Sequence, residues 1–156
     1  AAFARFGLSS SDDAKLEKAM TLGADFGVNY RAERSWDDAV RRATQRIGAE
    51  TILENAGPPS IAASVRAAAQ GGRVAQIGFK AMDGPAIEVL DLMLNSVTVK
   101  PVMVGSRAML ARLVRAVAVN DIQVPISQTF SFNDALAAYS AAGQSNGFGK
   151  IVISNT

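Results

Sequence analysis

The chain contains no cysteine and no histidine among its 156 residues. Without cysteine it forms no disulfide, offers no thiolate nucleophile and binds no zinc through sulfur. Without histidine it has no imidazole that could act as a general base or as a metal ligand. These two absences exclude most hydrolase triads and most zinc chemistry on this chain alone, so we expect it to hold no metal.

Charge and hydropathy exclude further classes of protein. The 16 basic residues exceed the 14 acidic ones by only two, which is too small an excess to indicate nucleic-acid binding. The 49% share of hydrophobic residues is too high for a disordered chain. No uncharged apolar run reaches the roughly 18 residues of a membrane span. No signal peptide is visible, so we expect a cytoplasmic location and no membrane partner.

Apolar runs alternate with helical periodicities along the first 122 residues, and this order is typical of a parallel sheet with helices on its faces. Strands are predicted over residues 4–8, 26–29, 51–53, 73–77 and 97–104. Pro101 within the fifth run implies an edge position or a bulge, because proline cannot donate to a central ladder.

Helices are predicted between these strands, and most follow a serine that could cap them. Ser9 or Ser10 would cap the first helix, which ends at residues 22–23. The other helices are expected over 36–47, 60–69, 87–94 and 106–119, with Ser60 and Ser106 as the caps of the second and the last of these. On the helix over 36–47, Arg41, Arg42 and Arg46 are interpreted as a solvated face rather than a binding patch.

Residues 123–156 follow a different pattern, with two phenylalanines, an alanine-rich helix over 134–142 and a final strand over 151–153. This tail could join a different sheet. We therefore place a domain boundary between residues 122 and 123.

Small polar residues and glycines follow the predicted strands, at the edge where open parallel sheets bind ligands. These strand ends are 9–11, 30, 55–57, 77–79 and 104–105. Glycine allows close approach of a ligand to the backbone, but it also ends strands for purely structural reasons. Both interpretations stay open from the residues alone.

The end of the first strand points to a type of cofactor. A sheet that binds NAD usually carries an acidic residue there for the ribose hydroxyls. This chain has three serines followed by Lys15, and hydroxyls with an ammonium suit a phosphate dianion. That favours the 2′-phosphate of NADP. The alternative is an ordinary helix cap with a solvated lysine, and Asp12 and Asp13 count against an anionic ligand.

Several motifs resemble the medium-chain dehydrogenase/reductase superfamily. The segment S-S-S-D-D-A-K-L-E-K-A at 9–19 precedes L-G-A-D at 22–25 and N-Y-R at 29–31. The segments E-N-A-G-P at 54–58, Q-G-G-R-V-A-Q-I-G-F at 70–79 and F-G-K-I-V-I at 148–153 follow in the same order. V-G-S-R at 104–107 resembles the alcohol dehydrogenase-like and quinone oxidoreductase-like branches.

The resemblance implies cofactor contacts at the matching positions. The adenosine ribose and its 2′-phosphate would meet Ser10, Ser11, Lys15 and Tyr30. The second ribose and the pyrophosphate would lie near Asn55, Ala56 and Gly57, and the nicotinamide near Ile77, Gly78 and Phe79. Phe148 and Lys150 match a tail segment that often closes on the cofactor, although core packing is an equal alternative for Phe148. No catalytic residue is recognisable.

The implied fold is α/β, a partial doubly wound sheet of Rossmann type that lacks its first strand and its Gly-rich turn. Residues 1–122 would be this partial NAD(P)-binding domain, and residues 123–156 the C-terminal tail of a missing catalytic domain. The strand at 97–104 corresponds to the one through which many members form homodimers.

The resemblance implies an NAD(P)-dependent oxidoreductase of alcohol dehydrogenase or quinone reductase type, with NADP preferred. Its small-molecule substrate would be an alcohol, a carbonyl or an activated alkene, chosen by the missing domain. The alternatives are a non-catalytic nucleotide-binding or oligomerisation module and an inert truncated remnant.

Overall fold

The computed structural model of the chain describes residues 5–144 and 147–155, and it divides into two compact units, Ala1–Val104 and Gly105–Thr156. The elements of the first unit are β1 (Gly7–Ser10), α1 (Asp13–Thr21), β2 (Phe26–Asn29), α2 (Trp36–Ala43), β3 (Ala49–Glu54), α3 (Ile61–Ala67), β4 (Ala68–Gln76), α4 (Val89–Asn95) and β5 (Thr98–Pro101). The second unit contains α5 (Arg107–Val119), β6 (Ile126–Ser131), a 3-10 turn (Phe132–Asp134), α6 (Ala135–Gly143) and β7 (Lys150–Ser154). The alternation of strands and helices predicted from the sequence is confirmed.

All strand pairs in the described residues are parallel. In the first unit β1 pairs with β2, and a separate sheet has the order β3-β4-β5. Among the described residues no hydrogen-bonded ladder joins β1 to β3, and each of these strands pairs there along one edge. This arrangement agrees with the predicted fold class, a partial doubly wound α/β sheet of parallel strands.

The core of the first unit lies between the β3-β4-β5 sheet and the helices on one of its faces. Val65, Ala68 and Val74 are fully buried, and partly buried side chains pack around them. Those side chains are Ile52, Ile61, Ile87, Leu92, Val97 and Val99. Burying a side chain such as Val65 contributes about 1.5–3 kcal/mol to the free energy of unfolding. This cluster therefore holds β4 against α3 and α4.

Polar contacts join α2 to α3. The Arg66 guanidinium lies 2.6 Å from Asp37, which is 9% exposed. Arg41 donates to the carbonyls of Arg66 and Ala68 at 2.6 and 2.9 Å. These carbonyls are at the end of α3, where a helix leaves acceptors unpaired. On the face interpreted as solvated, Arg42 and Arg46 are exposed, whereas Arg41 is only half-exposed because its guanidinium donates to these carbonyls.

The first strand was predicted over residues 4–8 but lies at Gly7–Ser10, and the helix after it has a different cap from the predicted one. Residues 5 and 6 precede β1, and Ala4 lies outside the described residues. Asp12, rather than Ser9 or Ser10, is the N-cap of α1, since its carboxylate accepts from the Lys15 amide at 3.2 Å.

Helix α2 is shorter than its periodicity predicted, and it ends at Ala43 instead of residue 47. The Thr44 hydroxyl donates back to the Val40 carbonyl and accepts from the Gly48 amide at 2.9 Å. Gln45 and Arg46 have φ values of 54° and 69°. A helix cannot continue through this left-handed turn.

The junction of α3 and β4 also differs from the prediction. The helix ends at Ala67 and the strand begins at the next residue, so residues 68–72 are strand and Ile77 lies outside it. The register of the β3–β4 pair shifts between Ala49 and Thr51 of β3. Strand β5 lies at the sheet edge, one of the two arrangements that Pro101 implied, but it covers Thr98–Pro101 instead of the predicted 97–104.

The second unit is a helix followed by a βαβ arrangement. The Ser106 hydroxyl accepts from the Met109 amide at 3.3 Å and caps α5, as predicted. Strands β6 and β7 form a sheet of their own, which confirms that the tail joins a different sheet. The domain boundary between residues 122 and 123 stays a prediction.

Within the described ranges no helix combines the length and the apolar character that crossing a membrane requires.

Candidate functional site

A buried carboxylate holds the turn that follows β3. Glu54 is only 5% exposed, and its Oε1 accepts from the amides of Ala56 and Gly57 at 2.7 and 3.1 Å. The same oxygen accepts from the Ser60 hydroxyl at 2.7 Å, and Oε2 accepts from the Ser64 hydroxyl. The carboxylate thus links the turn to the beginning and the middle of α3.

Glu54 is ionised at neutral pH despite its burial. Loss of hydration raises the pKa of its carboxyl, but the hydrogen bonds from Ser64, Ser60 and the two turn amides lower the pKa by more. The net pKa lies below the usual range of a glutamate. Donors that favour the charged form outweigh desolvation here.

The turn after β4 is bound to the turn after β3. The amides of Ile77 and Gly78 both donate to the Glu54 carbonyl, at 2.8 and 3.0 Å. The Lys80 amide donates to the Ala56 carbonyl at 2.9 Å. The Gln76 side-chain amide donates to the Gly78 carbonyl, while its Oε1 is buried and has no hydrogen-bond partner among the described residues.

Two glycines make this close approach of the turns feasible. Gly57 has a φ of 88°, and a Cβ there would lie 3.0 Å from the Gly78 carbonyl oxygen. A Cβ at Gly78 would overlap the backbone of Asn55. The two turns therefore pack backbone to backbone at the carboxyl edge of the sheet, with Gly57 buried and Gly78 partly buried, and we call this pair of turns the cradle.

The predicted adenosine residues lie at the carboxyl ends of β1 and β2. Ser10 pairs in register with Asn29, and the Tyr30 amide donates to the Ser10 carbonyl at 3.0 Å. The Ser11 hydroxyl, the Tyr30 hydroxyl and the Lys15 ammonium make no hydrogen bond or ion pair to other described residues. They are free to bind a ligand.

The two nearby carboxylates already have protein partners. Asp12 caps α1, and Asp13 accepts from the Asn29 side-chain amide at 2.7 Å. Their negative charges still weaken the attraction of this strand end for an anion.

The remaining predicted residues belong to the second unit. Lys150 begins β7, its amide donates to the Pro125 carbonyl at 2.9 Å, and Phe148 is half-buried just before it. Their part in cofactor binding stays a prediction, as do the cofactor contacts of the residues in the first unit.

Three residues of the site escaped the sequence analysis: Glu54, Ser64 and Gln76. An acidic residue at the end of an apolar strand, directly before a turn of small residues, was the available signal for Glu54. Ser60 is the N-cap residue as predicted, but its hydroxyl binds Glu54 and makes no cap bond to α3.

Residues 5–119 match the sequence pattern of a protein family described as zinc-binding dehydrogenase. The chain belongs to this zinc-binding dehydrogenase family. The predicted resemblance to medium-chain dehydrogenases and reductases is thereby confirmed.

Relatives of known sequence or structure agree with this assignment. A zinc-type alcohol dehydrogenase-like protein of Schizosaccharomyces pombe is 28% identical over 98% of this chain and 45% of its own length. The crystal structure of a Sinorhizobium meliloti protein described as an alcohol dehydrogenase superposes with a TM-score of 0.86 at 34% identity. It is matched over 96% of this chain and 43% of its own.

A mycobacterial protein solved in complex with NADPH shares the fold at 22% identity, with a TM-score of 0.74. The match covers 96% of this chain and 49% of that protein. The chain thus spans less than half the length of these relatives.

The family's name implies zinc, but the residues of this chain do not fit that metal. The chain has no cysteine or histidine. No group of three or more acidic side chains in the described ranges is arranged to hold a metal ion. A zinc site would need ligands that this chain does not supply.

Proposed function

We propose that this member of the zinc-binding dehydrogenase family supplies the cofactor-binding part of an NAD(P)-dependent oxidoreductase of alcohol dehydrogenase or quinone reductase type. The observation that carries the proposal is the backbone cradle formed by the turns after β3 and β4. It lies at the carboxyl ends of parallel strands, where α/β sheets of this kind bind nucleotides. The small residues of these turns allow an extended ligand to approach the backbone closely.

The adenosine end of the cofactor would lie at the ends of β1 and β2. The Ser10 and Ser11 hydroxyls, the Lys15 ammonium and the Tyr30 side chain would surround the ribose and its 2′-phosphate. The free ammonium of Lys15 favours NADP over NAD, since a dianion gains more from a cation than a neutral hydroxyl does.

The other half of the cofactor would lie in the cradle. Asn55, Ala56 and Gly57 would meet the second ribose and the pyrophosphate, and residues 77–79 would approach the nicotinamide ring. The Asn55 side chain is exposed and makes no hydrogen bond to other described residues, so it can turn towards the cofactor. A part for Phe148 and Lys150 in cofactor binding is implied only by the resemblance of their segment to the family's tail.

When bound, the nicotinamide supplies hydride transfer to or from a carbonyl, an alcohol or an activated alkene. The contribution of this chain is to bind and orient the cofactor, because none of its residues forms a recognisable acid–base constellation. Substrate recognition and any catalytic acid would come from a further domain. The expected cytoplasmic location stays a prediction.

An oligomerisation module is the second candidate. Strand β5 lies at a sheet edge, and the residues that follow it include Met103 and Val104, which are 84% and 95% exposed. An exposed edge with apolar neighbours is a template for pairing with another chain. A homodimer through residues 97–104 is therefore the competing proposal.

Calorimetric titration of the 156-residue chain with NADPH and with NADH tests the first proposal. We expect micromolar binding of NADPH and weaker binding of NADH, with the difference abolished in Lys15→Ala. Lys18→Ala, which removes an exposed lysine from the same helix, is the matched control and should behave as the wild type. Absence of heat with either cofactor would refute cofactor binding by this chain.

A further inference from the structure

We propose that Glu54 is a positioning residue, whose carboxylate holds the 55–57 turn in the shape that the cofactor meets. This inference rests on the proposed function, since it assigns a role within the same cofactor site. No part of Glu54 need touch the cofactor, because its side chain is buried beneath the turn.

The hydrogen bonds of the carboxylate come from two directions. The amides of Ala56 and Gly57 approach it from the turn, while the hydroxyls of Ser60 and Ser64 approach it from α3. The helix is in turn anchored in the core through Val65. The carboxylate therefore ties the turn to a helix that is packed in the core. Without the carboxylate, only backbone hydrogen bonds would hold the turn.

The same residue also fixes the second side of the cradle. The Glu54 carbonyl accepts from the amides of Ile77 and Gly78, so its main chain holds one turn and its side chain the other. Gly57 lies close against Gly78 and Phe79, since a Cβ there would be 3.0 Å from the Gly78 carbonyl oxygen and 3.2 Å from the Phe79 Cα. A displacement of Gly57 would therefore change the width of the cradle on the nicotinamide side.

The chemistry of the group matters as well as its size. A carboxylate only accepts hydrogen bonds, and its two oxygens satisfy four donors here. Glutamine has nearly the same shape but replaces one acceptor with an N–H2 group, so at least one of the four donors must turn away or lose its partner. Charge-assisted bonds are also stronger than those to a neutral amide.

Glu54→Gln is the variant that tests this role, and Glu50→Gln is its matched control. Glu50 is an exposed residue of the same strand, and no hydrogen bond or ion pair of its side chain is found within the described residues. The measurements are amide hydrogen exchange followed by NMR and titration of each folded chain with NADPH and NADH.

In Glu54→Gln we expect the amides of Ala56 and Gly57 to exchange about tenfold faster, as the weakening of a charge-assisted hydrogen bond implies. Ile52 and Val74, in the centres of β3 and β4, should keep their protection. The dissociation constant of NADPH should rise at least about fivefold. Glu50→Gln should match the wild type in every measurement.

Two further substitutions distinguish a local effect on the 55–57 turn from a loss of stability of the whole first unit. Glu54→Ala should open the turn further, and Glu54→Asp, which keeps the charge, should restore part of the lost protection at Ala56 and Gly57. Equal acceleration of exchange throughout the first unit would mean that Glu54 serves global stability only, and this would overturn the proposal.

Unchanged exchange at residues 56 and 57 in Glu54→Gln would overturn it equally. If the wild-type chain binds neither cofactor, the proposed function fails and the cofactor role of Glu54 fails with it. The exchange data would then still decide whether Glu54 holds the turn. Binding by the wild type with an unaltered affinity in Glu54→Gln would refute the positioning role alone.

Discussion

Ser64 lies ten residues after Glu54 in the sequence, and its hydroxyl donates to Oε2 of the Glu54 carboxylate in the interior of the first unit. Ser64 is 1% exposed, so this bond is shielded from water. A buried ion is costly unless its hydrogen-bonding capacity is filled, and here neutral donors fill it. This hydrogen bond therefore joins the turn after β3 directly to α3.

Stability should depend on pH through Glu54. The pKa of Glu54 is lower in the folded chain than in the unfolded chain. An unfolded glutamate has a pKa of about 4.3. The contribution of Glu54 to the free energy of unfolding is thus complete above that pH and is lost as the pH falls through the lowered folded pKa. Urea unfolding between pH 7 and pH 3 should show the stability difference between wild type and Glu54→Gln shrinking on acidification. A constant difference over this range would contradict the prediction.

Substitution of Gly78 should be far more harmful than substitution of Gly143. A Cβ at Gly78 would overlap the Asn55 backbone, so Gly78→Ala must push the two turns apart and should destabilise the chain by about 1–3 kcal/mol. Gly143 ends α6, and a Cβ there would meet no described atom within 4 Å. Gly143→Ala should be neutral or stabilising by up to about 1 kcal/mol. Thermal unfolding followed by circular dichroism compares the two variants.

The Asp37–Arg66 pair should contribute more than the surface pair of Glu33 with Arg42. Asp37 is buried, whereas Glu33 and Arg42 are 43% and 57% exposed in their side chains. Arg66 is itself 46% exposed, and solvent screening reduces the effect, so Asp37→Asn should cost only about 1 kcal/mol. Glu33→Gln should change stability by less than about 0.5 kcal/mol. Denaturant titration measures both, and equal losses would refute the distinction.

Removing a negative charge beside the first strand end should improve binding of NADPH. Asp13→Asn keeps an oxygen that can accept from the Asn29 amide but removes the repulsion of a 2′-phosphate. We expect NADPH affinity to rise about two- to fivefold at low salt, with little change for NADH and a smaller gain at high salt. Glu17→Gln, at an exposed position of the same helix, is the control. An equal gain for both cofactors in calorimetric titrations would argue against a phosphate at this position.

Local patterns predicted the order of the elements well and their ends less well. Strand β2 has the predicted bounds, and α5 begins after the serine expected to cap it. Errors arose where one element passes directly into the next, as at the junction of α3 and β4, and where a side chain has partners far away in the sequence. The Arg41 side chain is the example, since its acceptors at Arg66 and Ala68 are 25 and 27 residues away.

The amino-acid sequence by itself determined the family and the alternation of strands and helices. It also determined which strand ends carry glycine and small polar residues. Periodicity and short motifs are local properties, so they can be read without a fold. Only the tertiary structure decided that Glu54 faces inward, that Ser60 and Ser64 turn their hydroxyls to it and that Gly57 meets Gly78. Such contacts depend on where parallel strands and the helix between them place side chains far apart in the chain, and no local pattern contains that information.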